Sequence, residues 1–268
     1  MNFLKKSYKI FVAGHNGMVG KAIIRELNKG EYKNILIEER SKLDLSDSIS
    51  VKNWFFINKP DIVILAAAKV GGIYANDKYP YDFISENLKI QNNVIESSWQ
   101  NNVKRLVFLG SSCIYPKFAV QPINEESLLT GSLEKTNEWY AIAKIAGIKL
   151  CEALYKQYKF DAISLMPTNL YGPGDNYNLE NSHVIPALIR KFYEAKVSKS
   201  KFVTCWGTGK ARREFLHVDD LASACLFVLN KFDTNKEINS KSESFEINRL
   251  LNIGTGKDIT IKEISYLI

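Results

Sequence analysis

Five short aliphatic runs alternate with stretches of helix length along this chain, and that alternation constrains the fold more than any other feature. The runs are "KIFVAG" (9–14), "NILIEE" (34–39), "DIVILAAA" (61–68), "RLVFLG" (105–110) and "DAISLMP" (161–167). Most are rich in β-branched or large aliphatic residues, which favours strands. Helix-length segments such as 81–102 and 140–159 lie between them. Strands alternating with helices predict an α/β fold, a Rossmann-type doubly wound parallel sheet. Ligands of such sheets bind beyond the carboxyl ends of the strands, and the polar clusters of this sequence fall there.

After residue 171 the pattern loosens into "YGPGDNYNLENSH". A helix is predicted over "VIPALIRKFYEAK" (184–196), and "VTCWGTGKARREFLHVDDLASACLFVLN" (203–230) reads as strand, loop, short strand and helix. The polar stretch 230–249 is predicted to be an exposed connection. The expected division is a dinucleotide-binding domain over 1–170 and a smaller, mainly substrate-binding lobe over 171–268, with later segments returning to the first domain. "TIKEISYLI" (260–268) reads as part of an amphipathic helix, so further C-terminal sequence is expected.

A chain of 268 residues, 46% hydrophobic and 24% charged, is suited to burying a sizeable core. The net charge of +7 comes from lysines spread along the chain without a basic block, which argues for a solvated surface rather than nucleic-acid binding. No apolar run approaches the roughly 20 residues of a membrane span, and the N-terminus enters a strand without signal-peptide architecture. Cys113, Cys151, Cys205 and Cys225 show no CxxC spacing. Reduced thiols in a cytoplasmic protein without a metal site are the expectation.

"GHNGMVG" places Gly14, Gly17 and Gly20 between the first strand and a helical pattern. Glycines there let the backbone approach a pyrophosphate, and the helix N-terminus offers free N–H groups. An acid after the second strand bonds a ribose 2′-hydroxyl and selects NAD, whereas an arginine accommodates the 2′-phosphate of NADP. "EER" offers both, as Glu38, Glu39 and Arg40, and leaves the choice open.

"NEWYAIAKIAG" sets Tyr140 and Lys144 four apart on one helix face. A nearby ammonium is expected to lower the tyrosine pKa, and a tyrosine so tuned can protonate a carbonyl oxygen as hydride reaches its carbon. "LGSSCIYP" (109–116) adds Ser111 or Ser112 to hold that carbonyl, with Cys113 beside them. Taken alone, Cys113 is a small buried hydrophobe and His183, opening a helix, a cap or packing residue.

These residues together resemble the extended short-chain dehydrogenase/reductases that act on nucleotide sugars, and within them the GDP-L-fucose synthase family. "AGHNGMVG", "LAAAKVGGIYAN", "FLGSSCIYPK", "YAIAKIAGIKLCE", "MPTNLYGP", "NSHVIPAL" and "REFLHVDD" carry the resemblance across nearly the whole chain. It implies 3,5-epimerisation of GDP-4-keto-6-deoxy-mannose followed by NADPH-dependent reduction at C4, in a homodimer packed through segments 81–102 and 140–159. It assigns Cys113 and His183 as the acid/base pair and Ser111, Tyr140 and Lys144 as the reductase triad. The implied cofactor contacts are the loop Gly14, His15, Asn16, Gly17, Met18, Val19 and Gly20, then Arg40. Leu109, Gly110, Ser111 and Ser112 follow at the fourth strand, with Lys144, Pro167, Thr168, Asn169, Leu170 and His183 beyond. The implied substrate contacts are Lys191, Trp206, Arg213 and Asn169, against core packing as the alternative for Trp206. His15 and His217 read otherwise as structural or supporting groups.

Departures from the family pattern are Asn16 and Glu38 where basic residues can stand, Lys191 for an arginine, and Trp139 where a proline is often seen. NADP is the cofactor implied, with NAD left open. The alternatives are a related GDP-4-keto-6-deoxy sugar such as a heptose, a single half-reaction, or a non-catalytic NADP-binding module that would bind cofactor without turnover.

Overall fold

The computed structural model describes residues 3–178, 182–232 and 249–268. The polar connection expected over 230–249 falls mostly outside them, as does Asn181 of the "NSHVIPAL" motif.

The aliphatic runs form β1 (Ile10–Ala13), β2 (Ile35–Leu36), β3 (Ile62–Leu65), β4 (Arg105–Leu109) and β5 (Ala162–Pro167). Between them run α1 (Met18–Lys29), α2 (Ser48–Asn58), α3 (Ile73–Lys78), α4 (Pro80–Gln100) and α5 (Glu138–Tyr158). Then come β6 (Asn169–Tyr171), α6 (Val184–Val197), β7 (Arg212–His217), α7 (Val218–Lys231), β8 (Leu250–Ile253), β9 (Asp258–Thr260) and α8 (Ile261–Leu267). Local chemistry sets several boundaries. Asp47 caps α2 through the Ile49 N–H, Pro80 opens α4 at its first position, and Thr260 with Glu263 forms a capping box on α8.

Six strands make one sheet in the order β2-β1-β3-β4-β5-β8, all parallel. Successive side chains of a strand point to opposite faces, and here both faces are apolar. Phe11, Val63, Leu65, Leu106 and Phe108 pack with residues of α2, α4 and α5 on one side. Ile10, Val12, Ile64, Val107 and Leu165 pack with α1 and α7 on the other. Each such side chain contributes about 1.5–3 kcal/mol on burial. Helix α5 comes close enough to the sheet that a Cβ on Gly147 would stand 2.6 Å from the Phe108 ring. Beside it, buried Gln91 of α4 donates to the Ala143 carbonyl at 2.6 Å.

A second sheet has the order β6-β7-β9, parallel then antiparallel. The part of the chain after residue 170 thus serves both sheets, since α7 packs on α1 and β8 pairs with β5.

A buried charge cluster ties these segments together. Asp161 accepts from Arg105 Nε at 2.9 Å and from Arg249 Nη1 at 2.7 Å. Arg105 also donates to the Leu229 and Phe232 carbonyls at the end of α7.

Two expectations need correction. "NILIEE" keeps its strand pairing over Ile35–Leu36 alone, because the chain leaves the β1 edge before Glu38. "VTCW" forms no strand: Thr204, Cys205 and Trp206 run exposed, without a neighbouring strand to bond. Among the described residues no helix is long and apolar enough to cross a membrane, and no cluster of His, Cys, Asp and Glu is arranged to hold a metal.

Candidate active site

The carboxyl ends of β1, β4 and β5 open on the same side of the parallel sheet, and the glycine turn, Ser111–Cys113 and Thr168 follow them directly. Gly14 has φ +90°, and a Cβ on it would meet the Ala67 backbone nitrogen at 2.6 Å. On Gly20 a Cβ would lie 2.1 Å from the Gly14 carbonyl oxygen, so this turn closes only with hydrogen at both positions. Gly17 differs: its nearest neighbour is at 3.5 Å, ordinary contact, so the protein itself leaves space there. Gly17 is also the N-cap of α1 and supplies no side-chain cap, leaving the first N–H groups of the helix available to an anion. Met18 and Val19 turn into the core on the α1 side, and His15 is buried. Buried Thr168 Oγ1, just past β5, has no protein partner. A glycine cradle, an uncapped helix start and an unpartnered hydroxyl together fit a dinucleotide.

Strand β4 ends at Leu109, and Gly110 crosses to β5 by donating to the Leu165 carbonyl at 2.9 Å. The chain then turns through Ser112–Ile114, where Ser111 Oγ accepts from the Cys113 N–H at 3.3 Å. Cys113 is a free, half-buried thiol. Burial pushes it above the ordinary thiol range, while the Ser111 hydroxyl and the Arg213 guanidinium pull it back.

Helix α5 brings Tyr140 and Lys144 to the same place. Lys144 is buried, donates from Nζ to the Leu109 carbonyl at 2.8 Å, and stands 5.8 Å from the centre of the Tyr140 ring. The expected lowering of the tyrosine pKa is not found. Burial, then the neighbouring Cys113, pushes Tyr140 up, and burial takes Lys144 down to about 7. Each shift is the desolvation of the group's own charged form, phenolate for Tyr140 and ammonium for Lys144.

His183 is the N-cap residue of α6, without a side-chain capping bond. Its edge is open to solvent, yet the surrounding protein desolvates the charged imidazole and lowers its pKa, and Asp175 opposes that shift. Asp175 follows Gly172 and Gly174, whose φ values of +144° and +88° make the turn, and its buried Oδ2 has no partner.

The remaining residues lie on β5, β6, α6, β7 and the segments beside them. Lys191 of α6 lies 4.4 Å from the centre of the Trp206 ring and donates to the Thr204 carbonyl at 3.2 Å. Trp206 is 72% exposed, which removes core packing as its explanation. Arg213 is exposed on β7, and Trp139 is exposed beside Tyr140. Asn169 donates to the Glu214 carbonyl at 2.9 Å, Pro167 is buried at the end of β5, and Leu170 packs on the core. His217 caps α7 through the Asp219 N–H at 3.2 Å.

Sequence reasoning passed over three neighbours of this site. Phe83 packs edge-on to the Tyr140 ring at 6.4 Å, and Asp175 faces His183. Glu214 binds the turn after β8, accepting from Thr255 and Gly256 backbone N–H groups. The glycines around Asp175 and the "GTG" of that turn were the available signals.

The sequence and fold have known counterparts. Residues 10–254 match the model of the NAD dependent epimerase/dehydratase family. GDP-L-fucose synthase 1 of Arabidopsis thaliana is 56% identical over 263 residues, 98% of this chain and 77% of that protein. GDP-L-fucose synthase of Escherichia coli K12 is 50% identical over 260 residues, 97% of this chain and 80% of that protein. Among solved structures, GDP-mannoheptose C4 reductase of Campylobacter jejuni, with NADP bound, superposes with a TM-score of 0.86 at 38% identity, covering 98% of this chain and 85% of that one. The chain belongs to the NAD dependent epimerase/dehydratase family, on the branch of the GDP-L-fucose synthases.

Proposed function

We propose that this protein is an NADPH-dependent 3,5-epimerase and 4-reductase that converts GDP-4-keto-6-deoxy-D-mannose into GDP-L-fucose. The observation that carries the reading is the meeting of Ser111, Cys113, Tyr140 and Lys144 beyond β4, in a chain 56% identical to a GDP-L-fucose synthase.

Epimerisation beside a ketone needs a proton removed from one face and returned to the other, while negative charge gathers on the carbonyl oxygen. Ser111 and Tyr140 donate to that oxygen and stabilise the charge. Cys113 and His183 are the proton-exchanging pair, since a thiol and an imidazole both ionise within reach of neutral pH. Burial keeps Tyr140 protonated at neutral pH, so it has a proton to give when the C4 oxygen becomes an alkoxide. Bound reduced nicotinamide supplies the hydride to C4. Lys144, tethered to the Leu109 carbonyl, stands beside the Tyr140 ring and, lowered to about 7 by burial, can relay a proton to the phenol near neutral pH. Gly14, Gly17 and Gly20 with the start of α1 receive the pyrophosphate, and Thr168 donates or accepts at the coenzyme. Arg213, Lys191 and Trp206 receive the GDP moiety, arginine pairing with diphosphate in bidentate fashion. In this reading the second sheet and α6 are the substrate lobe, α4 and α5 form a homodimer contact, and the protein works in the cytoplasm.

A second reading keeps the chemistry and changes the sugar to a GDP-4-keto-heptose, favoured by the fold likeness to the Campylobacter jejuni heptose reductase. The test is to supply each keto sugar with reduced coenzyme and identify the products. GDP-L-fucose formed with stoichiometric coenzyme oxidation supports the first reading. Turnover of the heptose alone supports the second, and coenzyme binding without turnover of either sugar overturns both.

A further inference from the structure

After β2 an acid and a base stand side by side, and their neighbours separate them. Glu39 turns to the glycine turn: its carboxylate accepts from Asn16 Nδ2 at 2.9 Å and lies 3.5 Å from His15 Nε2. Arg40 turns the other way. Its Nη2 donates to Glu86 of α4 at 3.2 Å, and its Nε lies 3.7 Å from Asp44. Glu86 is shared with Lys69 at 3.1 Å, and Lys69 also meets Asp82 at 3.4 Å. The two cations on this side are therefore engaged by three carboxylates of the protein.

The consequence lies in the coenzyme's ribose. In this fold an acid about 20 residues past the glycine turn accepts a hydrogen bond from a ribose 2′-hydroxyl, while an arginine there receives a 2′-phosphate. Of the two candidates it is Glu39 that faces the glycine turn. A 2′-phosphate entering beside Glu39 would meet like charge well inside the screening length of about 8–10 Å, and Asn16 contributes no compensating cation. An uncharged diol would instead find an acceptor already oriented by two partners.

We propose that Glu39 is a specificity-determining residue that accepts the 2′-hydroxyl of the adenosine ribose, so that this protein binds NADH as readily as NADPH. The inference rests on the coenzyme-binding reading of the glycine loop and not on which sugar is reduced. The whole chain is titrated with NADH and with NADPH, following tryptophan quenching and calorimetric heat. Dissociation constants within about tenfold of each other support it; NADPH binding more than about tenfold tighter overturns it and leaves the reductase reading standing. Binding of neither coenzyme overturns both. In Glu39→Ala, NADH affinity falls about tenfold or more, the usual loss for a charged acceptor, while NADPH affinity holds or rises. Equal weakening of both in a variant whose melting temperature matches wild type contradicts the assignment. Asn16→Arg tightens NADPH alone.

Discussion

Lys144 lies one turn along α5 from Tyr140, and its Nζ sits 5.8 Å from the centre of the Tyr140 ring while donating to the Leu109 carbonyl at 2.8 Å. The two side chains share a helix face, and the end of β4 decides where the ammonium rests. Tyr140→Phe removes only the phenolic hydroxyl, the proton donor of the proposed reaction, so we expect turnover to fall by about 10²–10⁴ with coenzyme affinity retained. Lys144→Met lowers turnover as well, and it leaves the Leu109 carbonyl without this donor, at a cost of about 1–3 kcal/mol. Steady-state kinetics beside thermal melts separates the two.

Lys144 also makes stability depend on pH. The unfolded chain holds this proton up to about 10.4, whereas the folded protein holds it only below about 7. Between those values the unfolded state binds more protons, so stability rises with pH across the window. Its contribution is complete above the upper value and lost as pH falls through the lower one. The difference in melting temperature between wild type and Lys144→Met should therefore move in favour of wild type from pH 7 to pH 9.5. A difference that stays flat contradicts a buried, deprotonating lysine.

The glycine turn gives a steric contrast. A Cβ at Gly20 would sit 2.1 Å from a backbone oxygen, so Gly20→Ala should disturb the fold as well as coenzyme binding. At Gly17 the nearest protein atom is 3.5 Å away, so Gly17→Ala should melt near wild type and still bind coenzyme poorly. Melting curves and dissociation constants for both variants decide this. Coenzyme bound normally by Gly17→Ala would mean that the space at Gly17 is not used.

Asp161 is the shared anion of Arg105 and Arg249, whose side chains are 3% and 7% exposed. Asp161→Asn leaves two arginines short of their carboxylate, and removing one partner of a buried pair typically costs about 3–5 kcal/mol. Urea unfolding should show that loss, with coenzyme affinity little changed at concentrations where the protein stays folded.

The architecture was legible because its signals are local. β1, β3, β4 and β5 are continuous aliphatic runs buried on both faces, and Gly14 and Gly20 sit where backbone contact forbids a side chain. The site was legible in part. Spacing alone puts Tyr140 with Lys144 and Ser111 with Cys113, whereas the approach of the two pairs depends on α5 packing at the end of β4. Glu214 was not, because its partners Thr255 and Gly256 are about forty residues away and meet it only when β7 and β8 are in place. The misread strand at "VTCW" has an apolar pattern but no adjacent edge to pair with. The sign of the Tyr140 shift depends on burial, which no sequence spacing displays.

The measurement closest to the central claim is deuterium incorporation in heavy water, comparing wild type with Cys113→Ser on GDP-4-keto-6-deoxy-mannose. If one site performs both reactions, wild type places deuterium at C3 and C5 and then oxidises coenzyme to give GDP-L-fucose. The variant should lose the exchange by about 10²–10⁴ while still binding coenzyme. Exchange at wild-type rates in Cys113→Ser, or wild-type reduction at C4 with no exchange, would contradict it.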